Sequence, residues 1–217
     1  MGLRVVLEVA PKRAFASALD WPGWARAGRT PDAALEAFLA YGSRYAAVAR
    51  RAKLAFHPPA TMRGVEVVER LPGGSGTEFG VPSAAAAVER DEVAGAELKG
   101  ELALLRASWS TLDAVATRAV GVELAKGPRG GGRDLDKILG HVRDAEVAYL
   151  GKLGARPTEP SVQAVRDAFV AAATARATGA PVPNPNKART LWSPRYAVRR
   201  AAWHVMDHAW EIEDRST

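Results

Sequence analysis

Three of the four histidines in this 217-residue chain stand where imidazoles can act together. The segment WHVMDHAW puts His204 and His208 four residues apart, so in a helix both project from one face, about one turn from each other. His141 falls inside the apolar stripe Leu135, Ile138, Val142, Ala145 and Tyr149, which points it at an interior. Neutral imidazoles converging in this way make a site for one divalent metal ion. Three protein ligands leave coordination positions open for water or substrate, the arrangement of catalytic zinc and not of closed structural zinc. Zinc is the expected ion, and nickel or iron also accept imidazole. A single interior histidine is more often a hydrogen-bonded core residue, so the conjunction on two helices carries the reading. Asp144 and Asp207 lie near the ligands, where each either orients an imidazole through its second nitrogen or is a surface carboxylate.

Composition narrows the chemistry. There is no cysteine, so the chain has no thiolate nucleophile, no disulfide and no sulfur-ligated zinc of its own. Any thiol must come from outside. The net charge of +6 suits an anionic partner, but the basic residues are scattered, and no segment resembles a ribbon-helix-helix or helix-turn-helix unit, which argues against nucleic acid. No apolar run approaches the ~18 residues of a spanning helix. MGLRVVLEVAPKR lacks a stretch of signal-peptide length, which places the expected compartment in the cytoplasm and excludes a membrane partner.

The elements that must hold the histidines read as an α+β chain in two parts, a small unit over 1–92 and a helical unit over 93–217. In the first, LRVVLEV (3–9) and RAFASAL (13–19) form the simplest hairpin. Thr30-Pro31-Asp32 is a helix start, and that helix runs from Pro31 to Arg51. MRGVEVVERL adds a strand or two, and the Ala-rich stretch near 84–96 reads as a linker or short helix. Beyond it the pattern predicts helices over Glu97–Val120, Asp134–Gly151, Ser161–Gly179 and Pro194–Asp214, enough for a four-helix bundle with one core. Glycine- and proline-dense loops separate them.

If consecutive helices alternate in direction, the second and fourth begin at the same end. His141, His204 and His208 then lie roughly 10, 15 and 21 Å below it, close enough for one site. The same arrangement brings the loops GPRGGGR (127–133) and PVPNPNKARTLWSP (181–194) to the site's mouth. There the amides of Gly130 to Gly132, with Arg129 and Arg133, can face an anion, although a flexible connector is the plainer role for such a loop. Arg195, Arg199 and Arg200 read as solvated, with Arg200 one turn above His204 and able to reach a carboxylate. Trp203 and Trp210 read as core or interface packing.

The segments DLDKILGHVRDAEVAYLGKLG and YAVRRAAWHVMDHAWEIEDR resemble the DinB-like superfamily, which includes YfiT-type and mycothiol-dependent maleylpyruvate isomerase-type proteins. The resemblance covers about 94–217. It implies a DinB-like four-helix bundle with His141, His204 and His208 as the metal triad. In the mycothiol-dependent isomerases one ligand of the last helix can be glutamate, and this chain has histidine at both places. The resemblance further implies a transferase in which the metal acidifies an external low-molecular-weight thiol, such as mycothiol, for attack on an electrophilic or anionic acceptor. LDWPGWARAGRTPDAALEAFLAY is similar to the HicB-like antitoxin module in its order of strand, proline-glycine turn and Thr-started helix. Two classes of function follow: a metal-dependent enzyme, with hydrolysis as its variant, and a non-catalytic metal-binding stress or toxin-antitoxin-related protein. A monomer and a homodimer both remain open.

Overall fold

The structure, a computed structural model, describes residues 2–93, 95–126, 132–181 and 191–216. It is a mixed α+β chain: a four-stranded sheet followed by long helices. The strands are β1 (Leu3–Val9), β2 (Ala14–Ala18), β3 (Ala25–Gly28) and β4 (Val65–Pro72), in the order β3-β2-β1-β4. β1 pairs antiparallel with β2, as the hairpin reading expected, and parallel with β4. β3 was not foreseen, because ARAG carries no β-branched or aromatic residue to mark it.

Thr30 caps α1 (Pro31–Ala40), accepting from the Ala33 amide at 3.1 Å. The single helix expected to Arg51 is broken at Tyr41, and α2 (Gly42–Arg51) begins there. Glycine is a weak helix former, and Gly42 lies where a Cβ would collide with Pro58. One sheet face, with Val5 and Leu7, joins the main core with Phe38 of α1. The other face carries Val6, Glu8 and Phe15, and Phe15 meets Trp203 edge to face at 6.0 Å. In the turn before β3, Gly23 adopts φ +98°, and a Cβ there would crowd Met206 and Ser108. A short helix, α3 (Ser75–Phe79), and the segment 81–90 complete the first part, with the Tyr196 hydroxyl donating to the Ser83 carbonyl at 2.8 Å.

The helical part contains α4 (Gly95–Arg118), α5 (Leu135–Lys152), α6 (Val162–Ala177) and α7 (Pro194–Arg215), within a residue or two of the expected bounds. Asp134, Ser161 and Ser193 cap the last three through their side chains. The directions depart from alternation. α4 and α7 run parallel, because Arg195 pairs with Glu97 at their starts (2.6 Å) and Arg118 with Glu213 at their ends (3.3 Å). α5 runs against α7: Trp192 N–H donates to the Lys152 carbonyl at 2.9 Å, and Arg215 donates to the Arg133 carbonyl at 2.8 Å. α5 and α6 are parallel, since Arg166 lies 3.7 Å from Glu146 and Arg176 donates to the Leu153 carbonyl at 3.4 Å. The segment 153–161 is therefore a crossover. Nine extended residues reach about 30 Å, enough to return along an 18-residue helix of about 27 Å.

α7 is buried on every side, which is the mark of a central helix. Most of its apolar residues, Val198, Val205, Met206, Trp210 and Ile212 among them, belong to one core cluster that also contains Val5 and Leu7 of the sheet, so the packing is continuous across residue 92. Among the described residues no helix is long and apolar enough to cross a membrane.

Candidate metal centre

His141 on α5 and His204 and His208 on α7 are brought together, their ligand atoms lying within 4.8 Å of one another. His204 and His141 face each other through their Nε2 atoms at 3.1 Å. Four-coordinate zinc with bonds of about 2.0–2.1 Å sets two imidazole nitrogens about 3.3 Å apart, so this pair already has the spacing a metal requires. The ring centroids lie 5.0, 5.1 and 4.7 Å apart.

The convergence has a different geometric origin from the one expected. Because α5 and α7 are antiparallel, His141 lies six residues from the start of α5, and His208 seven from the end of α7. Both are near the end of the pair where Arg133 and Arg215 meet. Of the two loops expected together at the mouth, the described flanks are apart: Arg133 adjoins the end of α7, while Trp192 precedes its start, and residues 182–190 lie outside the described residues. Arg133 is exposed, and Arg129, Gly130 and Gly131 lie outside the described residues. Gly132 has a packing role, since a Cβ there would collide with the Arg215 guanidinium.

Electrostatics favour the uncharged form of His204 and His141. Burial, with help from His208 and Arg200, pushes His204 down to about 2, and burial followed by Arg133 lowers His141. Neutral imidazole is the form that binds a metal. The His208 Nδ1 is 2.7 Å from Glu211, which leaves its Nε2 for ligation. Glu211 is held below the usual carboxylate range, chiefly by that hydrogen bond, and accepts from Arg215 at 2.6 Å. Arg215 in turn donates to the Ala125 carbonyl at 2.7 Å.

Glu211 is thus the orienting carboxylate, a residue the sequence reading passed over. Its i,i+3 spacing from His208 on one helix was the available signal. Asp144 is exposed and 3.5 Å from Arg143, and Asp207 bonds to Arg26 at 3.3 Å. Neither has a hydrogen bond to a ligand histidine among the described residues. The α7 arginines, expected in solvent, are buried: Arg195, Arg199 and Arg200 are each 6% exposed or less. Arg195 pairs with Glu97 and Glu101, and Arg199 with Glu89. Trp203 and Trp210 pack against Phe15 and Tyr41 of the first part.

A search of family models, curated proteins and solved structures found no match to the chain.

Proposed function

We propose that α4–α7 form a DinB-like four-helix bundle whose three histidines hold one divalent ion, and that the protein is a metal-dependent transferase using an external low-molecular-weight thiol. The observation that carries this reading is the ligand set itself: three converging imidazoles on two helices, one backed by a carboxylate. A buried imidazole without a metal should have hydrogen-bond partners for both nitrogens, yet the His204 Nδ1 is buried without one. The donor set fits zinc best, with nickel or iron as the alternatives.

When bound, a divalent cation supplies the Lewis acidity that favours thiolate over thiol at neutral pH. The chain's own residues do the rest. Glu211 holds the His208 ring in one orientation, and Arg215 holds Glu211. The half-buried His141 forms the accessible side of the site, and Arg133 and Arg200 flank it from opposite ends. The resemblance of the first 92 residues to a HicB-like module makes them a candidate accessory unit packed on α7.

Metal analysis joined to a thiol-consumption screen tests the reading. Purified protein should carry one divalent ion per chain and consume mycothiol or a simpler thiol with a panel of electrophiles. His208→Ala should lose both properties. Full turnover by a metal-free His208→Ala protein would overturn the metal-centred mechanism, and metal retention without thiol consumption would favour the non-catalytic class.

A further inference from the structure

Arg200 is one turn before His204 on the same stripe of α7, and it is 6% exposed. Its guanidinium lies over the Trp203 ring at 4.6 Å and the Tyr149 ring at 5.2 Å. Among the described residues no carboxylate forms an ion pair with it, and its Nη1 is buried without a hydrogen-bond partner. A guanidinium stays charged at any physiological pH, so this is a buried cation lacking the partner that such burial demands.

Its neighbours deepen the imbalance. The Trp203 Nε1 is also buried and unpartnered, as is the His204 Nδ1, which carries the proton once Nε2 ligates a metal. Three residues within about one turn of α7 therefore each present a buried nitrogen without a partner, and the oxygen beside them is the neutral Tyr149 hydroxyl next to Arg200. Tyr149 lies 5.8 Å from the His204 ring and 5.2 Å from Trp192, and Trp192 is 4.9 Å from Tyr196, so an aromatic corner adjoins these donors.

We infer that Arg200 is the anchor for a carboxylate group of the substrate, binding it so that a second donor atom of the same molecule reaches the open position on the metal. The inference rests on the metal-site reading above and adds the substrate class: a small organic acid with a ligand atom at its far end. Planar two-point hydrogen bonding suits guanidinium and carboxylate, and the aromatic corner excludes water from the pair. Arg133 is a poorer anchor because it is exposed and its own backbone is tied to Arg215.

The test uses the full chain loaded with cobalt(II), whose visible bands report changes at the metal, and succinate as the probe. In the wild-type protein succinate should change those bands saturably, and the neutral diamide of succinate should not. Arg200→Met should weaken succinate binding by about tenfold or more, and Arg200→Lys should lie between. Cobalt uptake by each variant checks that the site is intact. Equal succinate affinity in wild type and Arg200→Met, or no saturable change in cobalt-loaded wild type, would overturn the anchor. If the chain takes up no cobalt, the metal reading fails separately, and thermal shift decides the anchor alone. Stabilisation by succinate in wild type that is lost in Arg200→Met supports it, and no stabilisation in either overturns it.

Discussion

Arg199 and Arg200 are adjacent on α7, equally buried and chemically identical, yet they face different regions with opposite outcomes. Arg199 points toward the segment 81–90, where Glu89 and the Ala84 carbonyl meet its donors. Arg200 points toward α5, where it has aromatic faces and one unmatched nitrogen. A paired buried charge holds two parts of a fold together. An unpaired one has a cost that packing alone does not explain, so the α5 side of α7 reads as binding surface and the sheet side as scaffold.

The largest expected effect separates these two arginines directly. Arg199→Met leaves Glu89 buried without its cation and should cost about 3–5 kcal/mol, lowering the melting temperature by about 10 °C or more. Arg200→Met strands no acid, so its ligand-free stability should stay within about 1 kcal/mol of wild type or rise. Urea unfolding of the two variants side by side measures this. Equal losses would mean that Arg200 is structural and that the comparison does not hold.

Next in size is the other end of the α5-facing row, where an acid is present. Glu211→Gln keeps the size of the side chain but removes the charge that orients His208, and metal affinity should fall about 10- to 100-fold. Competition with a chromophoric chelator reads the change, with circular dichroism to show that the helix persists. Unchanged affinity would reduce Glu211 to a helix-surface ion pair with Arg215.

Much of this was legible in the sequence, for reasons that sort by range. Helix starts are local chemistry, so Thr30, Asp134, Ser161 and Pro194 marked them within a residue or two. The histidine triad was legible because two ligands share one helix and the third sits in an apolar stripe. Helix direction was not. The segment GARPTEP (154–160) states that a helix stops, and says nothing of whether the chain turns back or crosses over, so the mouth was assembled from segments whose described flanks, Arg133 and Trp192, adjoin opposite ends of α7. The burial of Arg195, Arg199 and Arg200 was equally hidden, since a helix with three arginines in six residues reads as solvated until the glutamates from 89–101 are seen beside it.

The smallest predicted effect tests whether unmet charge alone marks a site. Glu146 is on α5 but belongs to the face that carries Val142 and Leu150 into the core, away from the histidines, and its Oε1 is buried without a hydrogen-bond partner. Burial raises it from 4.5 to about 7, and Arg166, 3.7 Å away and bound more closely to Asp113, offsets only part of that. A carboxyl whose folded value lies above its unfolded value binds its proton more tightly in the native state. Its contribution to stability is present below pH 4.5 and is lost as pH rises through about 7. Glu146→Gln imitates the protonated form, so relative to wild type it should gain about 1–3 kcal/mol at pH 8 and almost nothing at pH 4. Urea unfolding at the two pH values gives the difference, and the opposite titration of His204 cancels because both proteins share it. A gain at pH 8 with metal affinity unchanged would show a buried charge that is costly and remote from ligand binding, which makes Arg200 informative through its place beside the histidines as well as through its missing partner. A uniform loss at both pH values would instead mean that the Arg166 attraction outweighs the burial of Glu146, and the acid would join Glu89 on the scaffold side of the comparison.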